Sequence, residues 1–256
     1  MMAAEDRTLP ANEARPDLPR PQRVNLWSGP RNVSTALMYA FAQRPDTRVV
    51  DEPLYAHFLA VSGRPDPGRD EVLAACDADG ERVVREVILG PCDRPVLFMK
   101  QMAHHLVELD QGFLADCDNV LLVRDPAAVL LSLSQVIGTP TLRDTGLDQQ
   151  SRLLRHLQQL GQDPPVLDAA RLLRDPPGVL ARLCARLGLP FTPAMLSWPA
   201  GPKPEDGIWA PHWYAAVHRS TGFAPYHPPS QPLPARLAPV LAECAPHYEE
   251  LSAQAL

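Results

Sequence analysis

Four short apolar runs mark the first half of the chain, each closing on polar or charged residues: "RVNLWS" (23–28), "RVVDEP" (48–53), "PVLFMKQ" (95–101) and "NVLLVRDP" (119–126). Continuous runs of this kind suit strands covered on both faces, and the segments between them have room for crossover helices. The pattern predicts an α/β fold of P-loop-like type, three αβα layers with a central parallel sheet. Such folds bind ligands beyond the carboxyl ends of their strands, which draws attention to Ser28–Arg31, Asp51, Glu52, Lys100, Arg124 and Asp125.

Further along, "RDPPGVLARLCARLGLP" predicts a helix with Asp175 as N-cap and prolines in its first turn. Val179, Leu180, Leu183, Cys184 and Leu187 fall on one face, and Gly188 is the stop. Many of the thirty prolines crowd between 189 and 235, which predicts a tail wrapping the domain in extended segments rather than adding sheet. Residues 1–22 carry four prolines and no hydrophobic period, and read as a disordered arm ahead of a single domain over 23–256.

Composition narrows this picture. A chain of 256 residues, 45% hydrophobic, suits one domain with a sizeable core. A net charge of −6 argues against a general nucleic-acid binder, though not against a local basic pocket. Five cysteines without a C-x-x-C pair indicate neither a disulfide framework nor a zinc site, and the histidines show no metal-ligand spacing, so no metal is expected. The absence of a membrane-length apolar run or a secretory leader points to the cytoplasm.

Candidate chemistry begins at "SGPRNVST" (28–35), where a strand turns tightly into a helix. Such a turn aims backbone N–H groups and the positive helix end at one point, to which Arg31 adds a cation and Ser34 and Thr35 add hydroxyls. A plain turn with a Ser or Asn cap is the competing reading. The loop is not a Walker A motif, because its second glycine and its lysine are missing. In "VLLVRDPAAVLLSLS", Pro126 starts a helix and Ser132 follows Arg124 by eight residues, about two helical turns, so that both can meet one phosphate.

Together these two stretches resemble the sulfotransferases that use 3′-phosphoadenosine 5′-phosphosulfate (PAPS), over roughly residues 23 to 225. The tail "GIWAPHWYAAVHRSTGF" and the segment "VLDAARLLRDPPGVLARLCARLGLPF" add to the likeness, which is nearest to bacterial and plant members of unassigned acceptor. The resemblance implies that Gly29, Pro30, Arg31, Asn32, Val33, Ser34 and Thr35 hold the 5′-phosphosulfate and that Arg124 and Ser132 hold the 3′-phosphate. It implies PAPS as cosubstrate, adenosine 3′,5′-bisphosphate as product, and a small-molecule acceptor with a hydroxyl or amine. Arg31 stands where many cytosolic members carry lysine, and Val33 replaces a loop glycine. An arginine cannot donate its proton at neutral pH, so Arg31 is expected to stabilise charge on the leaving phosphate.

Two candidates compete for the base that takes the acceptor's proton. Glu52 lies just past the second strand, where the arginine-containing sulfotransferases supply a glutamate. His104 or His105 follows Lys100 much as the catalytic histidine of the cytosolic branch follows its lysine. Lys100 is expected at cofactor or acceptor, with pairing to a carboxylate as the alternative. From the tail, Lys203, Trp209, His212, Trp213 and Ser220 are candidates to cover the nucleotide, and a hydrophobic strap is the other reading. Acceptor loops are expected over 55–80 and 136–150. A P-loop phosphotransferase (kinase) acting on a small metabolite and a noncatalytic nucleotide-binding module are the alternatives to sulfotransfer, and the oligomeric state is not encoded in any recognisable feature.

Overall fold

The four apolar runs become strands β1 (Gln22–Ser28), β2 (Thr47–Asp51), β3 (Val96–Met102) and β4 (Asp118–Val123), joined by a fifth, β5 (Val166–Asp168). These belong to a computed structural model that describes residues 20–228 and 231–256. Of the arm expected over 1–22, residues 1–19 lie outside that description. The strands pair in the order β2-β3-β1-β4-β5, all parallel. β5 was not foreseeable from pattern, because three residues are too few to carry a period. Its pairing of Leu121 with Val166 and Val123 with Asp168 fixes it from outside.

Burial of both sheet faces explains the unbroken apolar runs. Val96, Phe98, Val120 and Leu122 face one core with Leu37, Met38 and Phe41 of helix α1 (Ser34–Ala42). Leu97, Met99, Leu121 and Val123 face the other, with Leu153, Leu154 and Leu157 of the helix Leu147–Gln159. The result is the three-layer αβα arrangement expected. The helix foreseen from Asp175 runs Pro176–Arg186 on the α1 side, and the Asp175 side chain accepts from the Gly178 amide as a cap should.

Among its described residues, the tail over 189–235 adds no strand to the sheet and forms only short helical turns, such as Ala210–Trp213. Beyond it lies a 15-residue helix, Ala238–Ser252, that tolerates Pro246 inside it and packs against the Leu147–Gln159 helix. The segments 55–80 and 136–150 correct the expectation of loops. They contain helix α2 (Tyr55–Ser62), the helices Arg69–Ala75 and Leu142–Thr145, and the start of Leu147–Gln159. In α2, "YAHFLAVS" offers no glycine or proline to stop a helix until Gly63, which ends it at φ +65°. Among the described residues no helix is long and apolar enough to cross a membrane.

Candidate active site

Strand order dictates which residues meet at the carboxyl edge of the sheet. Across β2-β3-β1-β4 that edge carries Glu52, then Lys100 to His105, then the loop Gly29–Val33, then Arg124. Neighbouring strands lie about 4.8 Å apart, so the row spans the length of a small nucleotide. The chain leaves β1 toward β2 on one side and reaches β4 on the other, which makes the crevice beside β1 a topological switch point.

The loop after β1 holds its amides ready. Helix α1 has no side-chain N-cap and no acidic residue in its first turn, which sets aside the plain Ser or Asn cap. Asn32 turns away from that role: its Nδ2 donates to the Leu122 carbonyl, and its Oδ1 accepts from the Val33 amide. Ser34 and Thr35 are buried at the start of α1. Arg31 sits at φ +59° and Glu52 at φ +37°, two of three non-glycine residues with positive φ among those described. Strained backbone at both strand ends is the kind that function preserves.

Gly29 is fixed by packing. A Cβ there would lie 2.4 Å from the Thr145 carbonyl oxygen, while Gly146, at φ +73°, leaves room for Gly29 and Pro30 on its own side. Gly29→Ala is expected to lower stability by roughly 1–3 kcal/mol through this clash and to displace the loop. Denaturant titration together with nucleotide binding checks it, and an unchanged variant would contradict the close approach.

Two arginines converge beside this loop. Arg31 Nε donates to Ser132 Oγ at 2.8 Å, and Arg124 Nη1 donates to the Arg31 carbonyl at 2.6 Å. Neither guanidinium forms an ion pair among the described residues. Burial, and then the nearby charge of Arg31, lowers the Arg124 proton affinity below that of an ordinary arginine. Asp125 is occupied in accepting from the Ala127 amide as the cap of helix Pro126–Ile137. A cavity of about 290 Å³ opens here, lined by Arg124, Ser132, Gln135, Ala169, Tyr226 and His227. Arg124 and the Ser132 hydroxyl line this cavity together with Asp125, and Arg31 reaches its wall through Ser132, an arrangement that suits an anion.

Glu52 anchors the other end of the row. The ammonium of Lys100, 1% exposed, donates to Asp51 Oδ1 (2.9 Å), Glu52 Oε1 (2.5 Å) and the Tyr214 hydroxyl (2.5 Å). Lys100 is therefore committed to two carboxylates, the alternative its sequence context allowed, and the structure does not bring it to the β1 loop. Burial pushes the Glu52 carboxyl above its ordinary range; Lys100 pulls it down and Asp51 pushes it further up. Oε2 of Glu52 faces His105 Nε2 at 3.9 Å.

Burial favours the neutral form of both histidines. His105 stacks on Tyr55 and Phe58, and its Nδ1 is buried without a partner, as is Nδ1 of His104. His104 is pushed down to about 3, chiefly by burial and then by Arg64. His105 is also driven well below the usual value, first by burial and then by His104. An unfolded histidine titrates near pH 6.5, so the contribution of His104 to stability is whole above about that pH and is lost as pH falls toward its folded value. His104→Asn is expected to lessen this acid sensitivity, so that the parent loses roughly 1–2 kcal/mol relative to the variant between about pH 7 and 5. Thermal melts across pH test it, and parallel curves would contradict it.

The remaining candidates are dispersed. Lys203 Nζ donates to the carbonyls of Pro199 and Gly201 and lies 5.5 Å from the Tyr39 ring centroid. Trp209 is buried and donates to Tyr214, and Ser220 accepts from Trp198. None of these lines the cavity beside Arg124. Tyr226 and His227 do, and their only local signal is an aromatic pair one segment beyond "HRSTGF". Tyr214 also went unnoticed, since nothing local announces a contact 114 residues from Lys100. A second cavity, about 450 Å³, lies at the amino ends of β1 and β4, away from this row.

Comparison with known proteins bears on this arrangement. A family model described as "Sulfotransferase domain" matches residues 22–255. The chain is similar to branched-chain-amino-acid aminotransferase-like protein 2 of Arabidopsis thaliana, 40% identical over 229 residues, 89% of this chain and 41% of that protein. It thus spans less than half the length of the curated relatives it matches. Its fold is similar to that of the sulfotransferase domain from the Synechococcus PCC 7002 olefin synthase (TM-score 0.52, 16% identity, 91% of this chain and 98% of that one). It is likewise similar to a sulfotransferase from Alicyclobacillus acidocaldarius (TM-score 0.51, 17% identity, 92% and 96%).

Proposed function

The chain belongs to the sulfotransferase domain family, and on that premise we propose that it moves a sulfuryl group from PAPS to a hydroxyl or amine of a small-molecule acceptor. The observation that carries this reading is the contact of Arg31 with Ser132 and of Arg124 with the Arg31 carbonyl, with Arg124 and Ser132 lining the cavity beside β4 and neither arginine in an ion pair among the described residues. This corner suits a 3′-phosphate, and the uncapped first turn of α1 suits the 5′-phosphosulfate beside it. Asp125, the residue a magnesium-dependent phosphotransferase would need, holds one carboxylate oxygen on the Ala127 amide as a helix cap.

In the transfer, the bond from sulfur to the phosphate oxygen breaks as a bond from sulfur to the acceptor oxygen or nitrogen forms. The acceptor's proton passes to Glu52. Negative charge grows on the phosphate that leaves as adenosine 3′,5′-bisphosphate, and the α1 amides and Arg31 meet that charge. Glu52 suits the base better than either histidine, since burial raises its proton affinity while burial lowers theirs. A screen of hydroxyl and amine acceptors with sulfur-labelled PAPS tests the activity. Label transferred to an acceptor supports it, whereas transfer from γ-labelled ATP and none from PAPS would overturn it.

A further inference from the structure

Lys100 has three ammonium hydrogens, and three oxygens take them: Asp51 Oδ1, Glu52 Oε1 and the Tyr214 hydroxyl. The two carboxylates are not held equally. Asp51 Oδ2 also accepts from the Tyr214 hydroxyl at 2.7 Å and from the Gly207 amide at 3.0 Å. Among the described residues, the Glu52 side chain bonds Lys100 alone, with Oε2 facing His105 at a distance too long for a hydrogen bond. Both carboxylates are buried, so with both ionised the cluster would carry a net negative charge away from water, a costly state. An incoming proton is therefore taken up most readily by the carboxylate with fewer donors. That is Glu52.

We propose that Asp51, held by Tyr214 and the Gly207 amide, is a positioning residue that competes with Glu52 for Lys100 and so keeps Glu52 able to accept the acceptor's proton. Alone with Lys100, Glu52 would be a tightly paired anion and a poor base. Every other group facing Glu52 is consistent with this division. His105 and His104 beyond β3 are held toward the neutral form by burial, Tyr55 on α2 donates to Asp66, and Asp66 is in turn paired with Arg64. The tail segment 207–214 thereby takes part in the site without touching the reacting atoms, because it supplies both donors that hold Asp51.

The inference rests on Glu52 being the base, and the test separates the two. Carboxyl carbon NMR of the full chain, with the Glu52 resonance assigned by its loss in Glu52→Gln, reads the titration of Glu52 directly. The parent midpoint is expected above the ordinary glutamate range, and in Asp51→Asn it is expected to fall by about 1–2 pH units. Binding of adenosine 3′,5′-bisphosphate should not change. Tyr214→Phe, which keeps the ring but loses both the donor to Asp51 and the hydroxyl that accepts from Lys100, frees Lys100 for Glu52 and should shift the midpoint in the same direction by less, and it carries the test if Asp51→Asn does not fold. A midpoint that stays in place or rises in the folded variants overturns the role of Asp51. Full turnover by Glu52→Gln would overturn the base assignment alone, while the titration would still report on Asp51.

Discussion

Glu52→Gln is expected to bind adenosine 3′,5′-bisphosphate as the parent does and to transfer sulfuryl groups roughly 10² to 10⁴-fold more slowly. The substitution preserves shape, and a glutamine oxygen can still accept from Lys100, which retains Asp51 as its counterion. Loss of the buried charge therefore leaves no unpaired cation behind. What disappears is the ability to take the acceptor's proton in the transition state, an interaction made only there, so kcat should fall with little change in donor affinity. If turnover survives in Glu52→Gln and is lost in His105→Ala or His104→Ala, a histidine is the base.

Arg124→Ala should have the largest effect on binding. Hydrogen bonds to a charged group contribute about 1.5–3 kcal/mol each, so losing this guanidinium should weaken adenosine 3′,5′-bisphosphate by roughly 10 to 150-fold. Arg124 also braces the β1 loop through the Arg31 carbonyl, which alone would weaken any nucleotide seated there. The discriminating quantity is thus a ratio. Adenosine 5′-phosphosulfate lacks the 3′-phosphate and should lose far less affinity, as isothermal titration of both ligands would reveal. Equal losses would reduce Arg124 to a brace.

What could be read from the sequence followed from local rules. The four long strands and the Asp175-capped helix came from continuous apolar runs and cap chemistry, and the loop after β1 from a strand broken at Gly29-Pro30. Arg124 and Ser132 could be paired because eight residues across a helix start place them about two turns apart, and the resemblance set the Arg31 loop beside them. What sequence could not convey depended on distant packing. Val166–Asp168 is a strand only because β4 offers it an edge. For Lys100 local sequence left open cofactor, acceptor or a carboxylate, and the Asp51–Glu52–Tyr214 cluster around it includes a hydroxyl 114 residues away. Tyr226 and His227 reach the cavity through a tail whose path no period predicts.

The central claim is that the corner formed by Arg31, Arg124 and Ser132 receives a 3′-phosphorylated adenosine nucleotide. Thermal unfolding with adenosine 3′,5′-bisphosphate, measured beside ATP with magnesium, tests it most directly. At about a hundred times its dissociation constant a ligand adds about 2.7 kcal/mol, which for a chain of this size raises Tm by roughly 5–10 °C. The account predicts that rise with the bisphosphate and little with ATP; a rise with ATP and magnesium and none with the bisphosphate would contradict it.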